Sequence, residues 1–139
     1  MRREDFTTDV DADEPEPELT VIFEGTPQVL RDRLDGGDPL GADEIDVAYR
    51  QTPTDESGVL SVTDRLTGEY IFEAPLADDA VRALVETAAA REEDERDYFL
   101  RIDPSDGQDF VFEKSTLLVY DTNGNLDRDR SLIPGGVEL

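Results

Sequence analysis

The residues that could carry chemistry in this chain are carboxylates, because the two residue types most used in catalysis and metal binding are missing. The 139-residue sequence contains no histidine and no cysteine. Without histidine there is no imidazole general base and no Ser/His/Asp triad. Without cysteine there are no disulfides, thiolate metal sites or thiol nucleophile. Acid–base or metal chemistry would therefore have to use some of the 36 aspartates and glutamates.

One run of oxygen-bearing side chains has the alternating spacing of an EF-hand calcium loop. Its members are Asp121, Asn123, Asn125, Asp127 and Asp129. The run departs from that motif, because Gly124 stands at the fourth position instead of the sixth and Leu132 replaces the final glutamate. We therefore interpret it as the solvated edge of a hairpin and predict no metal site. A carboxylate-based divalent-cation site stays open as an alternative.

Two further candidates also lack a catalytic constellation. Asp64 and Glu73 could meet across a hairpin, but chance contacts between carboxylates are expected in so acidic a chain. Lys114 stands beside Ser115 and Thr116 with no Ser-x-x-Lys motif or glycine-rich loop, and we interpret it as a charge at a strand end. We assign no catalytic, cofactor-binding or metal-ligating residue. The sequence predicts a protein that is not an enzyme and needs no cofactor.

The charge balance predicts adaptation to high salt. The formal net charge is -23, aspartates outnumber glutamates by 21 to 15, and twelve arginines accompany a single lysine. At about 1 M salt the Debye length is roughly 3 Å, so the self-repulsion of such a surface is largely screened. The same charge disfavours direct contact with nucleic acid or an anionic membrane. We expect neither as a partner.

Period-2 alternation of apolar residues predicts strands at 19–24, 45–50, 59–63, 69–74, 98–102 and 109–113. Apolar residues at helical spacing predict helices from Pro27 through Leu34, ended by a glycine pair at 36–37, and from Pro75 to about Arg91. The continuous apolar run 117–120 predicts a central strand covered on both faces. The Asn123-Gly124 pair after it predicts a type I′ turn into a further strand.

This order of elements predicts an α+β fold with a mainly antiparallel sheet and two helices packed on one face. Residues 1–18 are predicted to form an acidic arm, extended or partly disordered, in which Phe6 to Val10 could add a short edge strand. Residues 19–139 are predicted to form a single domain. Acidic residues follow Met1-Arg2-Arg3 where a signal peptide would be apolar, so we expect a cytoplasmic protein.

Three segments carry a resemblance to a known group of proteins. They are MRREDFT at residues 1–7, EKSTLLVYD at 113–121 and SLIPGGVEL at 131–139. Together they resemble an uncharacterised family of small acidic domains from halophilic archaea, over the whole chain. The resemblance implies a salt-rich cytoplasm and supplies no activity, cofactor or site residues.

The best prediction of function is a non-enzymatic protein-interaction or adaptor domain. Its partner, or a second copy of the chain, would dock through an exposed sheet edge or through the apolar C-terminal tail, which contains Leu132, Ile133, Val137 and Leu139. The tail could instead pack on its own domain, since burying one such side chain is worth roughly 1.5–3 kcal/mol. An acidic mimic of nucleic acid is the alternative from another class.

Overall fold

The computed structural model describes residues 3–12, 16–35, 40–53, 57–91 and 96–133. Within these ranges the strands are β1 (Phe6–Asp11), β2 (Glu18–Phe23), β3 (Ile45–Gln51), β4 (Ser57–Asp64), β5 (Tyr70–Ala77), β6 (Tyr98–Asp103), β7 (Phe110–Lys114) and β8 (Leu118–Tyr120). The helices are α1 (Pro27–Asp35) and α2 (Asp78–Ala89). Short 3-10 turns occupy Arg3–Asp5, Ala42–Glu44 and Arg128–Arg130.

The strands form two sheets, a first sheet ordered β1-β2-β6-β7 and a second sheet ordered β5-β4-β3-β8. Each sheet contains one parallel pair, β2 with β6 and β3 with β8, and the other pairs are antiparallel. The α+β class is confirmed, but the prediction of one mainly antiparallel sheet was wrong. Alternation shows which side chains share a face and not which strands are neighbours, so pairing between distant strands leaves no local signal.

A single core joins both sheets and both helices. Phe6 on β1 stacks on Phe23 of the first sheet and on Phe72 of the second, each with a ring-centroid distance of 4.9 Å. Both helices add their apolar stripes to this core instead of lying on one face of a single sheet. The helix residues buried there are Leu30, Leu34, Val81, Leu84, Val85 and Ala88.

Strands β3 to β5 form an antiparallel meander with one irregularity. The register shifts where Thr63 pairs with Tyr70 and Val62 with Phe72, which leaves Ile71 as an extra residue. Because of this bulge, Ile71 and Phe72 are both buried although they are adjacent.

Helix α2 begins at Asp78, three residues after the predicted start. Pro75 and Leu76 belong to β5, where they pair with Val59 and Gly58 of β4. Proline at a helix start and proline in an edge strand share the same restricted φ, so the residue type alone did not distinguish the two. The apolar stripe of the helix is as predicted.

Strand β8 corrects the prediction of a central strand at residues 117–120. It is an edge strand that pairs with β3, and its side chains alternate, with Val119 buried and Tyr120 half-buried. The turn after it is present, with Gly124 at φ 82°, but it leads to a single bridge between Tyr120 and Leu126 instead of a further strand. A second bridge joins Leu117 to the buried Leu132.

Neighbouring segments lie beside the outer strands of both sheets. The Thr8 hydroxyl of β1 donates to the Pro75 carbonyl of β5 over 2.7 Å, so these two edges adjoin. Helix α1 reaches one end of β7, where the Arg31 guanidinium stacks 5.0 Å from the Phe110 ring centre. Arg31 also forms a bidentate ion pair with Asp106, in which Nη2 lies 2.6 Å from Oδ1. In the described part of the chain, these contacts cover parts of the outer strands β1, β5 and β7.

The arm predicted for residues 1–18 contributes β1, which pairs along its whole length with β2. This agrees with the short edge strand that the pattern allowed at Phe6 to Val10. The C-cap predicted at residues 36–37 and the apolar tail residues 137 and 139 lie outside the described residues.

Candidate functional site

The outer face of the second sheet is the most distinctive exposed surface that the structure describes. In β3, Ile45, Val47 and Tyr49 are buried, so the alternate residues point away from the core. The register then places Ala48 opposite Ser61, and Ser61 opposite Glu73. On the other side of β3, Arg50 pairs with Tyr120 of β8. These side chains share one face because paired residues point the same way.

Two small side chains make this face concave. Ala48 and Ser61 sit at adjacent positions on the two middle strands, and larger residues surround them. The result is a hollow of about 200 Å³, lined by Ala48, Arg50, Ser61, Thr63, Tyr70, Glu73 and Tyr120 with the backbone of Tyr49. We call this surface the tyrosine face, after the residues from β5 and β8 at its rim.

The tyrosine face contains an arginine that has no partner among the residues the structure describes. Arg50 is exposed and forms no ion pair or hydrogen bond with any described residue. Arg31, Arg65 and Arg101, by contrast, each form an ion pair with a nearby carboxylate. At the opposite rim, 60% of Tyr70 is exposed to solvent. The tyrosine face therefore exposes a cation, Arg50, and a large aromatic ring, Tyr70, to solvent.

The tyrosine face offers groups for ionic, hydrogen-bonding and aromatic contacts. The Ser61 hydroxyl donates to Glu73 Oε2 over 3.3 Å, a hydrogen bond that holds both side chains against the sheet. A serine nucleophile needs a base of suitable pKa, and this base is commonly an imidazole. The sequence contains no histidine. Tyrosine and arginine are the residues that most often dominate protein interfaces.

The run of oxygen-bearing side chains at 121–129, interpreted as a solvated hairpin edge, lies in and after the turn that follows β8. Asp121 Oδ1 accepts hydrogen bonds from the backbone N–H groups of Asn123 and Asn125, each over 2.9 Å, and so closes the turn. Within the described ranges, no group of three or more acidic residues has a geometry that could hold a metal ion. The alternate spacing therefore reflects turn chemistry in this structure.

The structure separates the two carboxylates that were considered as a pair. Asp64 Oδ1 accepts from the backbone N–H groups of Leu66 and Thr67 in the β4–β5 turn. Glu73 lies opposite Ser61, farther along the hairpin. No acid–base pair forms between them.

Lys114 has a structural role that its sequence context did not reveal. It is at a strand end, as predicted, but only 7% of it is exposed. Its ammonium donates to the carbonyl oxygens of Ala42, over 2.6 Å, and Ile45, over 2.8 Å. Burial, and then the charge of Arg65, lower the pKa of Lys114 below its ordinary value. The only indication in the sequence was that Lys114 is the single lysine, since arginine stands at every other basic position.

The carboxylates are spread over all sides of the described structure. Exposed acids occur on the outer faces of both sheets, on both helices and in the connections, for example Asp9, Asp46, Asp32, Asp79 and Asp106. None of the described carboxylate residues is buried. The acidity is therefore a property of the whole surface and not of one side.

Comparison with known proteins gives one match. The model of a family of unknown function, DUF5793, matches residues 1–139. No curated protein and no solved structure matches the chain. Neither of the helices that the structure describes has the length and apolar composition needed to cross a membrane.

Proposed function

As the chain belongs to DUF5793, a family of unknown function, no role comes from its relatives, and we propose a function from geometry. We propose that it is a non-enzymatic protein-interaction domain whose binding surface is the tyrosine face. The observation that carries this proposal is the unpaired Arg50 beside a hollow rimmed by Tyr70 and Tyr120. In a surface dense with carboxylates, a guanidinium left without an ion pair marks a place where a partner's carboxylate is recognised.

The geometry of the hollow limits the partner. Pockets for drug-sized molecules span roughly 300–1,000 Å³, and the hollow of about 200 Å³ fits one protein side chain better. The partner is therefore a protein that inserts one aromatic or large aliphatic side chain above Ala48 and Ser61. An acidic residue next to that side chain pairs with Arg50. Such anchors at the centre of an interface contribute most of the binding energy.

Site-specific photo-crosslinking tests this proposal. A photoreactive amino acid at Ser61 samples the hollow, and the same group at Thr20 samples the outer face of the first sheet as a matched control. We expect one protein to be crosslinked from position 61 in a source-cell lysate at molar KCl, and not from position 20. The purified partner is then titrated with the wild-type chain and its variants.

Single substitutions test whether that binding uses the proposed residues. We expect Arg50→Ala and Tyr120→Ala each to weaken binding at least about tenfold, or about 1.4 kcal/mol, as for interface anchors. Val111→Ala, an exposed change on the other sheet, is the control and is expected to leave the affinity unchanged. Equal crosslinking from both faces, or full affinity in both variants, would contradict the proposal. A crosslinked second copy of the chain would identify the interaction as homodimerisation.

We also propose that the acidic surface is an adaptation to a salt-rich cytoplasm. The single lysine, the excess of aspartate and the spread of exposed carboxylates over every layer of the fold support this. A nucleic-acid mimic would instead concentrate its carboxylates along one face at phosphate-like spacing. The distribution therefore favours salt adaptation over mimicry.

A further inference from the structure

A second cleft lies between α2 and the 3-10 turn at Arg128–Arg130, and its lining differs from that of the tyrosine face. Its volume is about 200 Å³, and it is lined by Val81, Arg82, Val85, Glu86, Asp129 and Arg130. We call it the Arg130 cleft. Two cations, two anions and two apolar side chains thus meet in one small space.

Arg130 is the residue that makes this cleft unusual. Its Nη2 atom is buried and has no hydrogen-bond partner within the described part of the chain. A buried donor without a partner costs about 1–3 kcal/mol, and a charged one more, so such an atom in a folded protein needs an explanation. A ligand that accepts this hydrogen bond would provide one.

The backbone holds Arg130 in place from both sides. The Ser131 hydroxyl donates to the Asp127 carbonyl over 2.7 Å and accepts from the Val119 N–H over 2.8 Å. Leu132 then bonds to Leu117 in both directions, at 2.9 Å each. The backbone on which Arg130 stands is therefore fixed to β8 before any ligand binds.

The floor of the cleft is apolar and its rim is charged. Val81 and Val85 are buried residues of α2 that also belong to the core, and they offer an apolar floor. Arg82 is exposed at the rim, where its ion pair with Asp79 is long, at 3.6 Å. A loose, exposed pair of this kind contributes little to stability, so Arg82 can turn towards a ligand at low cost.

We propose that the Arg130 cleft binds a free α-amino acid with a short aliphatic side chain. The carboxylate pairs with Arg130 and Arg82, because a guanidinium can donate two parallel hydrogen bonds to a carboxylate. The side chain contacts Val81 and Val85.

The acidic pair in the lining selects a zwitterion over a simple anion. Glu86 and Asp129 would repel a ligand that carried only a carboxylate, but they attract the ammonium group of an amino acid. The small volume fits an amino acid better than a nucleotide. One amino acid would thus contact the cationic, the anionic and the apolar side chains of the lining.

Calorimetric titration of the full chain in molar KCl tests this site. The probes are L-valine and L-leucine, with two analogues of valine: isovalerate, which lacks the ammonium, and isobutylamine, which lacks the carboxylate. We expect saturable one-to-one binding of at least one amino acid and an affinity at least about tenfold lower for both analogues. Failure of both amino acids to saturate would overturn the proposal, as would isovalerate binding as well as valine.

Variants assign the binding to the cleft. We expect Arg130→Gln to abolish binding, whereas Arg65→Gln, at an exposed arginine paired with Asp46, keeps it. Because Arg130 is half-buried, Glu86→Gln provides a second variant at an exposed position. It is expected to reduce the affinity for valine to that for isovalerate. Unchanged affinity in Arg130→Gln, or in Glu86→Gln, would overturn the proposal.

Discussion

At the scale of single residues, the buried ammonium of Lys114 links the two sheets. It sits at the end of β7 in the first sheet and binds the carbonyl oxygens of Ala42 and Ile45, where β3 of the second sheet begins. An arginine could not replace it easily, because the planar guanidinium is larger and its donors are fixed in a fork. This accounts for the one lysine in a chain that otherwise uses arginine.

We expect Lys114→Met to lower the free energy of unfolding by about 1.5–3 kcal/mol, the range for a hydrogen bond to a charged group. Methionine retains much of the aliphatic stem but leaves two carbonyl groups without their donor. Urea unfolding in molar KCl measures the change. Arg50→Met is the matched control, and surface changes of that kind stay within about 0.5 kcal/mol. Equal midpoints for the two variants would contradict this role.

Buried tyrosines predict a loss of stability at alkaline pH. The Tyr98 hydroxyl donates to the Thr116 carbonyl over 2.8 Å, and burial raises the pKa of Tyr98 above its ordinary value of 10.0. Burial and the Asp78 carboxylate likewise raise the pKa of Tyr49. Above pH 10 the unfolded chain loses these protons and the folded chain retains them, so stability falls as pH rises.

The expected slope is up to about 1.4 kcal/mol per pH unit for each such tyrosine. Urea unfolding between pH 9 and 11, flanking the ordinary tyrosine pKa of 10.0, measures it. Tyr98→Phe removes one of the two tyrosines with a raised pKa, so its slope is expected to be less steep than that of wild type. Ionisation of all four tyrosines in the folded protein, seen as phenolate absorbance, would contradict the prediction.

At the scale of elements, one arginine attaches α1 to the connection between β6 and β7. The hydrogen bond from Arg31 is the main reason that the pKa of Asp106 falls to about 2, and the Gln108 carbonyl accepts from the same guanidinium over 2.6 Å. A lowered carboxyl pKa adds stability above the ordinary value of 3.8, and this contribution is lost as pH falls towards 2.

We expect Arg31→Lys to lose most of this acid-dependent stability, since an ammonium can neither form the bidentate pair nor stack flat on Phe110. Thermal melts between pH 4 and pH 2 compare the variant with wild type, and hydrogen exchange of α1 locates the effect. Arg82→Lys is the control because its pair with Asp79 is exposed and long. An unchanged pH profile in Arg31→Lys would contradict the docking role.

Two glycines are required for different reasons: Gly58 because a side chain would not fit, and Gly124 because of its backbone conformation. A Cβ at Gly58 would collide with the Arg50 carbonyl and the Tyr49 ring, whereas a Cβ at Gly124 meets nothing within 4 Å and only its φ of 82° is unfavourable. We expect Gly124→Ala to cost about 1 kcal/mol and Gly58→Ala clearly more, because backbone must move. Urea unfolding of both variants measures the difference. The reverse order would show that the β3–β4 contact is loose.

At the scale of the whole molecule, the charge of -23 predicts a fold that depends on salt. Exposed carboxylates on every side repel one another in dilute buffer, and KCl screens them. We expect the melting temperature, followed by circular dichroism, to rise steadily with KCl towards molar concentrations. Sucrose at matched osmolality is the control for exclusion effects. A cooperative fold of undiminished stability in low-salt buffer would contradict salt adaptation.

The sequence predicted those features that depend on near neighbours. Alternation located the strands, helical spacing located the α2 stripe, and Asn123-Gly124 located a turn with positive φ. The parallel pairs of β2 with β6 and β3 with β8 could not be predicted, because nothing local encodes them. The tyrosine face was missed for the same reason, since it exists only once the register brings four strands side by side.

The parallel pairs also determine when the chain can fold during its synthesis. Glu18 must pair with Phe99, and Ala48 with Leu118, so neither sheet is complete until β6 to β8 have been made. Until those strands leave the ribosome, β2 and β3 each have an open edge that other nascent chains can bind. The dense carboxylates that the early segments already carry repel such neighbours, and the acidic surface thus also protects the unfinished protein.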